Sequence, residues 1–122
     1  MHIVTADLHA TRLSVTAAQL RRAGAEVVEQ VTDVSGCRCC PGAGSSRSEC
    51  SYGAVHVICN NAGVWTLGYQ WDTDLADWQW VLDVNLWGFI HGIRIFVPIL
   101  FRNTEGDHIV NTVSLGGIVA GR

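Results

Sequence analysis

The stretch at residues 54–59, AVHVIC, constrains the fold more than any other feature of the chain. Apolar side chains on both faces of so short a run are typical of a strand buried on both sides, as in parallel sheets. Segments with helical spacing of apolar residues alternate with similar β-rich runs. This alternation predicts an α/β fold with a doubly wound parallel sheet and flanking helices. We expect strands within 2–7, 25–35, 54–59 and 107–115, and helices within 8–24 and 72–103.

Composition limits the classes of protein to which the chain can belong. It has 122 residues, of which 48% are hydrophobic and 16% charged, and this balance indicates one globular domain or part of one. A net charge of −3 without a basic cluster argues against nucleic acid and anionic membranes as partners. No uninterrupted apolar run reaches the roughly 18 residues of a membrane span, and the first residues lack the apolar core of a secretory signal. We therefore expect a cytoplasmic protein without disulfides.

Several polar residues follow the predicted strands directly. Because right-handed crossovers make all strands of such a sheet parallel, the carboxyl ends of the strands meet at one edge, where α/β sheets bind their ligands. The residues that this topology places at the ligand edge are Asp7, Asp33, those at 60–63, and Ser114.

Three motifs occur in order along the chain and resemble those of the short-chain dehydrogenases/reductases. They are CNNAGV after the apolar strand, WQWVLDVNLWG in the following helix, and HIVNTVSLGG at the last strand. The spacing is 24 positions from Asn61 to Asn85 and 29 from Asn85 to Ser114. The resemblance implies a partial Rossmann-like sheet, with residues 1–122 as a fragment of a single NAD(P)-binding domain. It also implies hydride transfer between a nicotinamide and a small-molecule alcohol or carbonyl substrate.

The resemblance implies that residues at the ends of the first two strands bind the adenosine part of the cofactor. Asp7 matches the acid that binds the ribose hydroxyls, and its charge would repel a 2′-phosphate, so NAD is expected rather than NADP. Arg12 in the next helix weakens that preference. Asp33 and Val34 match the pair that contacts the adenine. Without the resemblance, Asp7 could equally be an acid at a helix start and Asp33 an ordinary turn residue.

The resemblance assigns the remaining site residues to the later motifs. Asn61, Ala62 and Gly63 match the loop that passes beside the cofactor, where a small, close backbone is needed. Asn85 matches the catalytic asparagine that supports a water-linked proton relay, and Ser114 matches the serine that hydrogen-bonds the substrate oxygen. From the residues alone, three alternatives remain open: an ordinary turn for the loop, a helix kink or a buried amide bonded to backbone for Asn85, and a strand-end hydroxyl that caps a turn for Ser114.

The chain lacks other parts that the resemblance implies. The family's acid/base tyrosine and its lysine form a Tyr-x-x-x-Lys motif after the serine, but the chain ends at Arg122 and contains no lysine. The glycine-rich turn that binds the pyrophosphate precedes the strand with which this sequence begins. We expect little or no turnover alone and one bare sheet edge. The alternatives are a non-catalytic remnant or a partner-binding fragment, and a family-like homo-oligomer could form through the apolar 81–101 helix.

Residues 36–52 have no helical period, although a helix is required between the second and third strands. Four cysteines fall here, with spacing C-x-C-C-x9-C, which lacks the C-x2-C pairs of structural zinc sites. We therefore expect no metal site, although a cysteine metal-binding module is a further alternative. In another reading frame, Cys, Arg, Gly and Ser codons can encode an alanine-rich helix. We interpret 36–52 as a frameshifted or flexible segment.

Overall fold

The computed structural model of the chain describes residues 1–36, 52, 54–104 and 106–115. The interpretation of the cysteine stretch as a frameshifted, flexible or metal-binding segment concerns residues that lie almost entirely outside these ranges. In chain order the elements are β1 (His2–Asp7), α1 (Ala10–Arg22), β2 (Glu26–Val31), β3 (Val57–Asn60), α2 (Leu75–Leu82), a π-helical turn (Asp83–Trp87), α3 (Gly88–Leu100) and β4 (His108–Asn111).

The strands form two parallel pairs. β1 pairs with β2 with Ile3 opposite Val27, and β3 pairs with β4 with Ile58 opposite Ile109. Parallel pairing confirms the predicted α/β class. Among the described residues no hydrogen-bonded ladder joins the two pairs. The sequence predicted a single sheet with one bare edge, whereas the described strands form two separate pairs.

Two small apolar clusters stabilise the pairs. Leu13 and Ala17 of α1 are buried, and so is Val27 on β2. The second cluster joins the long helix to the β3–β4 pair. Its members are Val55, Ile99 and Leu100, with Ile58, Ile95, Phe96 and Ile109 packed against them. Among the described residues no large side chain is completely buried.

A polar contact fixes α1 on β2. The Ser14 hydroxyl donates to Glu29 at 2.8 Å, and Arg21 binds the other carboxylate oxygen at 2.8 Å. Arg21 also donates to the Val27 carbonyl at 2.7 Å. The Ser14 hydrogen bond and the Arg21 hydrogen bond lower the pKa of the partly exposed Glu29 carboxyl.

The long helix, Leu75–Leu100, combines α2, the π-helical turn and α3. It begins after Asp74, inside the predicted range 72–103, and it continues for two residues beyond Pro98. Among the described residues it is the one helix long and apolar enough to cross a membrane, with a mean hydropathy of 1.2. Packing of its second half on the β3–β4 pair accounts for part of its apolar character.

Candidate site at the carboxyl ends of the strands

The structure brings the predicted site residues to the carboxyl ends of parallel strands. Asp7 is the last residue of β1, and Asp33 lies two residues beyond β2. Asn61 follows β3 directly, and Ser114 lies three residues beyond β4. Since the strands of each pair run in the same direction, each of these residues lies at or just beyond the carboxyl end of its own pair.

Asp7 is exposed beside the start of α1. Its Oδ1 accepts a hydrogen bond from the His9 N–H at 2.7 Å, which fixes the carboxylate at the end of β1. Among the described residues Oδ2 has no hydrogen-bond partner. An exposed carboxylate held in one orientation can accept hydrogen bonds from a vicinal diol, so Asp7 fits the ribose of a dinucleotide.

The turn after β2 is bound to the long helix. The Asp33 carboxylate accepts hydrogen bonds from the Ser35 N–H at 3.0 Å and the Ser35 hydroxyl at 2.6 Å, which closes the turn. His91 Nδ1 lies 3.0 Å from the Val34 carbonyl oxygen. Because a carbonyl only accepts, Nδ1 must carry the proton. A Cβ at Gly88 would lie 2.9 Å from Val34 Cγ2, so a glycine allows this close approach.

Asn85 binds the loop after β3 through both atoms of its amide. Its Oδ1 accepts from the Val64 N–H at 2.8 Å, and its Nδ2 donates to the Val64 carbonyl at 2.8 Å. The Asn85 side chain therefore binds the Val64 backbone as a neighbouring strand would. This contact fixes the path of the loop that contains Asn61, Ala62 and Gly63. A Cβ at Gly63 would lie 3.7 Å from Asn85 Oδ1, so this contact alone does not require a glycine.

Asn85 lies within the π-helical turn Asp83–Trp87. A π-helical turn widens the helix and changes the hydrogen-bonding of its carbonyl groups, and such turns occur frequently at functional sites. Here the wide turn places the asparagine opposite Val64. The amide is exposed and bonded to backbone groups of Val64, so the alternative of a buried amide bonded to backbone is wrong about the burial and right about the backbone partner.

Polar side chains join the carboxyl ends of β3 and β4. Asn60 Nδ2 donates to Asn111 Oδ1 at 2.9 Å, and the Thr112 hydroxyl donates to Asn61 Oδ1 at 2.8 Å. These bonds hold the loop after β3 beside the segment that leads to Ser114. The Ser114 side chain is exposed at this end of the pair.

Together these contacts define a class of protein: an α/β chain with polar residues at the carboxyl ends of parallel strands, where such sheets bind ligands. The family model of the short chain dehydrogenases matches residues 1–122. The chain belongs to the short-chain dehydrogenase family. This result confirms the resemblance and the partial Rossmann-like fold that the motifs predicted.

Individual relatives agree with this assignment. A short chain dehydrogenase/reductase from Burkholderia phymatum, solved in complex with NAD, matches 99% of this chain and 43% of its own length, with 40% identity and a TM-score of 0.90. LigD from Sphingobium matches 98% of this chain and 51% of its own, with 30% identity and a TM-score of 0.88. The 1-deoxy-11-beta-hydroxypentalenate dehydrogenase of Streptomyces avermitilis is 32% identical over 98% of this chain. The chain spans 44% of that relative's length.

Several residues that shape the site were missed at the sequence level. His91 binds the turn after β2 from 57 positions away, and none of the three motifs contains it. Val64 and Thr112 lie within the quoted motifs, but the resemblance assigned no role to the Val64 backbone or to the Thr112 hydroxyl. All five tryptophans are exposed, so none of them lies in the core.

Proposed function

We propose that this chain forms part of an NAD-dependent oxidoreductase that transfers hydride between a nicotinamide and a small-molecule alcohol or carbonyl substrate. The observation that carries the proposal is the amide contact of Asn85 with Val64, which holds the loop after β3 at the ligand edge of a short-chain dehydrogenase. Bound NAD supplies the nicotinamide that accepts or donates the hydride. The intact protein is proposed to act in the cytoplasm.

Asp7 is proposed to select NAD over NADP. Its carboxylate is exposed, and the free oxygen can accept hydrogen bonds from both ribose hydroxyls. A 2′-phosphate would place a second negative charge against it. Asp33 and Val34 would line the adenine pocket, with Val34 fixed by His91 and the Asp33 carboxylate already engaged by Ser35.

The roles proposed for the later residues follow from their positions. The loop formed by Asn61, Ala62 and Gly63 would pass beside the cofactor, and Asn85 would position that loop and support a proton relay. The exposed Ser114 hydroxyl would donate a hydrogen bond to the substrate oxygen. These residues bind and orient, but no acid/base group has been identified among them.

The selectivity proposal is tested by saturation-transfer NMR of NAD and NADP with the purified chain. Wild type is expected to prefer NAD. Asp7→Asn keeps the acceptor for the His9 N–H but removes the charge, and it should reduce the preference about tenfold, since hydrogen bonds to charged groups contribute about 1.5 kcal/mol or more. Asp72→Asn is the matched control, because Asp72 lies in another loop. An unchanged preference in Asp7→Asn would contradict the assignment.

The chain alone is proposed to turn over little or no substrate, because general acid/base catalysis typically contributes about 10²- to 10⁴-fold. A spectrophotometric assay of NADH formation with a panel of secondary alcohols tests this. Turnover that depends on NAD and is lost in Ser114→Ala would contradict the proposed inactivity while supporting the role of Ser114.

An oligomer through the long helix is a second proposal. Leu82, Leu86 and Trp87 lie on this helix within 81–101 and are each more than 40% exposed. Exposed apolar residues in a continuous patch favour self-association. Sedimentation should show a dimer that Leu86→Glu dissociates, and a wild-type monomer at all concentrations would remove the proposal.

A further inference from the structure

The turn after β2 extends beyond the ladder that joins β2 to β1. The ladder ends with a hydrogen bond from the Thr32 N–H to the Asp7 carbonyl at 3.0 Å. Asp33, Val34 and Ser35 follow, and the Asp33 carboxylate closes the turn on itself by accepting two hydrogen bonds from Ser35. A turn that has left its sheet is positioned by contacts with the surrounding scaffold. The partners of Val34 therefore bear directly on where this turn lies.

The long helix contacts Val34 through one polar side chain. His91 lies on α3, 57 positions after Val34, and its Nδ1 lies 3.0 Å from the Val34 carbonyl oxygen. The bond is partly buried, so it is stronger than the same bond in open water. The ring centroids of Trp87 and His91 lie 6.0 Å apart, so an aromatic side chain also flanks the imidazole.

Gly88 allows the same helix to approach Val34 closely. A Cβ at Gly88 would lie 2.9 Å from Val34 Cγ2 and 3.1 Å from Val34 Cβ. Valine is stiff at χ1, so its side chain could not rotate away without strain. Gly88 and His91 are three positions apart on α3, which places them on neighbouring parts of one helix face. This face therefore meets Val34 at two points.

We infer that His91 is a positioning residue for the adenine end of the dinucleotide, and that it acts through Val34 without contacting the cofactor. The inference rests on the proposed function, in which Asp33 and Val34 line the adenine pocket. The Nδ1–H bond holds the turn in the binding position before the adenine arrives, and Gly88 leaves room for that position. The affinity for the adenine end therefore depends on a side chain of the long helix.

The test follows the amides of residues 33–35 in a ¹⁵N NMR titration of the purified chain with AMP, which carries the adenine end alone. His91→Leu removes the donor but keeps a good helix former, so the chain should still fold. Its AMP affinity should be about 2- to 10-fold lower, because one hydrogen bond changes the population of the held turn by about that factor. His91→Asn offers Nδ2 as a donor at the same chain length from Cβ as Nδ1. It should restore the affinity to that of wild type.

Two further variants separate positioning from a general disturbance of the fold. Gly88→Ala retains the His91 donor but places a Cβ against Val34, so it should also weaken AMP binding. His108→Leu is the matched control, because it makes the same substitution at the amino end of β4, away from the carboxyl edge. Its AMP affinity should equal that of wild type.

The tautomer of His91 gives a readout that needs no nucleotide. A long-range ¹H–¹⁵N spectrum should show the neutral imidazole with its proton on Nδ1, since the Val34 carbonyl only accepts. A neutral imidazole with the proton on Nε2 would overturn the inference. Equal AMP affinity in wild type and His91→Leu would overturn it too, while leaving the proposed function intact. Absence of AMP shifts at 33–35 in wild type would instead contradict the adenine site of the proposed function, and the inference with it.

Discussion

Replacement of Asn85 tests the contact on which the candidate site depends. In Asn85→Leu the side chain keeps a similar volume, but the Val64 N–H and carbonyl lose their partners at 2.8 Å. Each hydrogen bond contributes about 0.5–1.5 kcal/mol net, so the loop should lose about 1–3 kcal/mol against local opening. Because Asn85 is exposed, water can form hydrogen bonds with the Val64 N–H and carbonyl in the variant. We therefore expect a loss near the lower end of this range.

Hydrogen exchange of the Val64 amide measures the effect directly. An opening free energy lower by about 1–3 kcal/mol makes exchange about 5- to 150-fold faster. Asn85→Asp retains the acceptor for the Val64 N–H and loses only the donor, so its Val64 exchange should lie between wild type and Asn85→Leu. Gln79→Leu is the control, since it removes a hydrogen bond to Asp83 one turn earlier and leaves Val64 alone. Unchanged Val64 exchange in Asn85→Leu would refute the positioning role.

Three further predictions concern the pairs of strands. Glu29 has a pKa below its ordinary 4.5, so its contribution to stability is present above pH 4.5 and is lost as the pH falls through the lowered pKa. In chemical unfolding, Glu29→Gln should therefore reduce the difference in unfolding free energy between pH 7 and pH 3. An unchanged difference would contradict this prediction. Ile99→Ala should lower the free energy of unfolding by about 2–5 kcal/mol, and a loss below about 1 kcal/mol would show that the second cluster is not a core. Gly92→Ala places a Cβ against the Asn60 side-chain amide. The variant should lower the free energy of unfolding by about 1–3 kcal/mol, although alanine gains about 1 kcal/mol in helix propensity. A more stable variant would show that the Asn60 side chain moves away freely.

The sequence predicts the elements because their signals are local. The apolar run at 54–59 contains most of β3, and the spacing of Leu13, Ala17 and Leu20 predicts α1. The carboxyl-edge position of Asp7 then follows from the rules for parallel sheets. These signals depend on residues a few positions apart, so no knowledge of the tertiary structure is needed.

The contacts that shape the site could not be predicted in this way. Asn85 meets Val64 from 21 positions away, and it reaches Val64 from within a π-helical turn that no local pattern indicates. The His91 contact with Val34 spans 57 positions and joins two elements whose packing the sequence does not encode locally. The division of the described strands into two separate pairs likewise becomes visible only when the strand pairing is known.

The central claim, that the carboxyl edge of this short-chain dehydrogenase chain binds NAD, is tested most directly by mapping amide shifts in a ¹⁵N NMR titration. NAD should shift the amides of His9, Gly63 and Val64, which lie at the ends of β1 and β3, and NADP should shift them less at the same concentration. The amides of α1 around Ala17 serve as the internal control. Shifts absent from this edge, or confined to the exposed face of the long helix, would contradict the account.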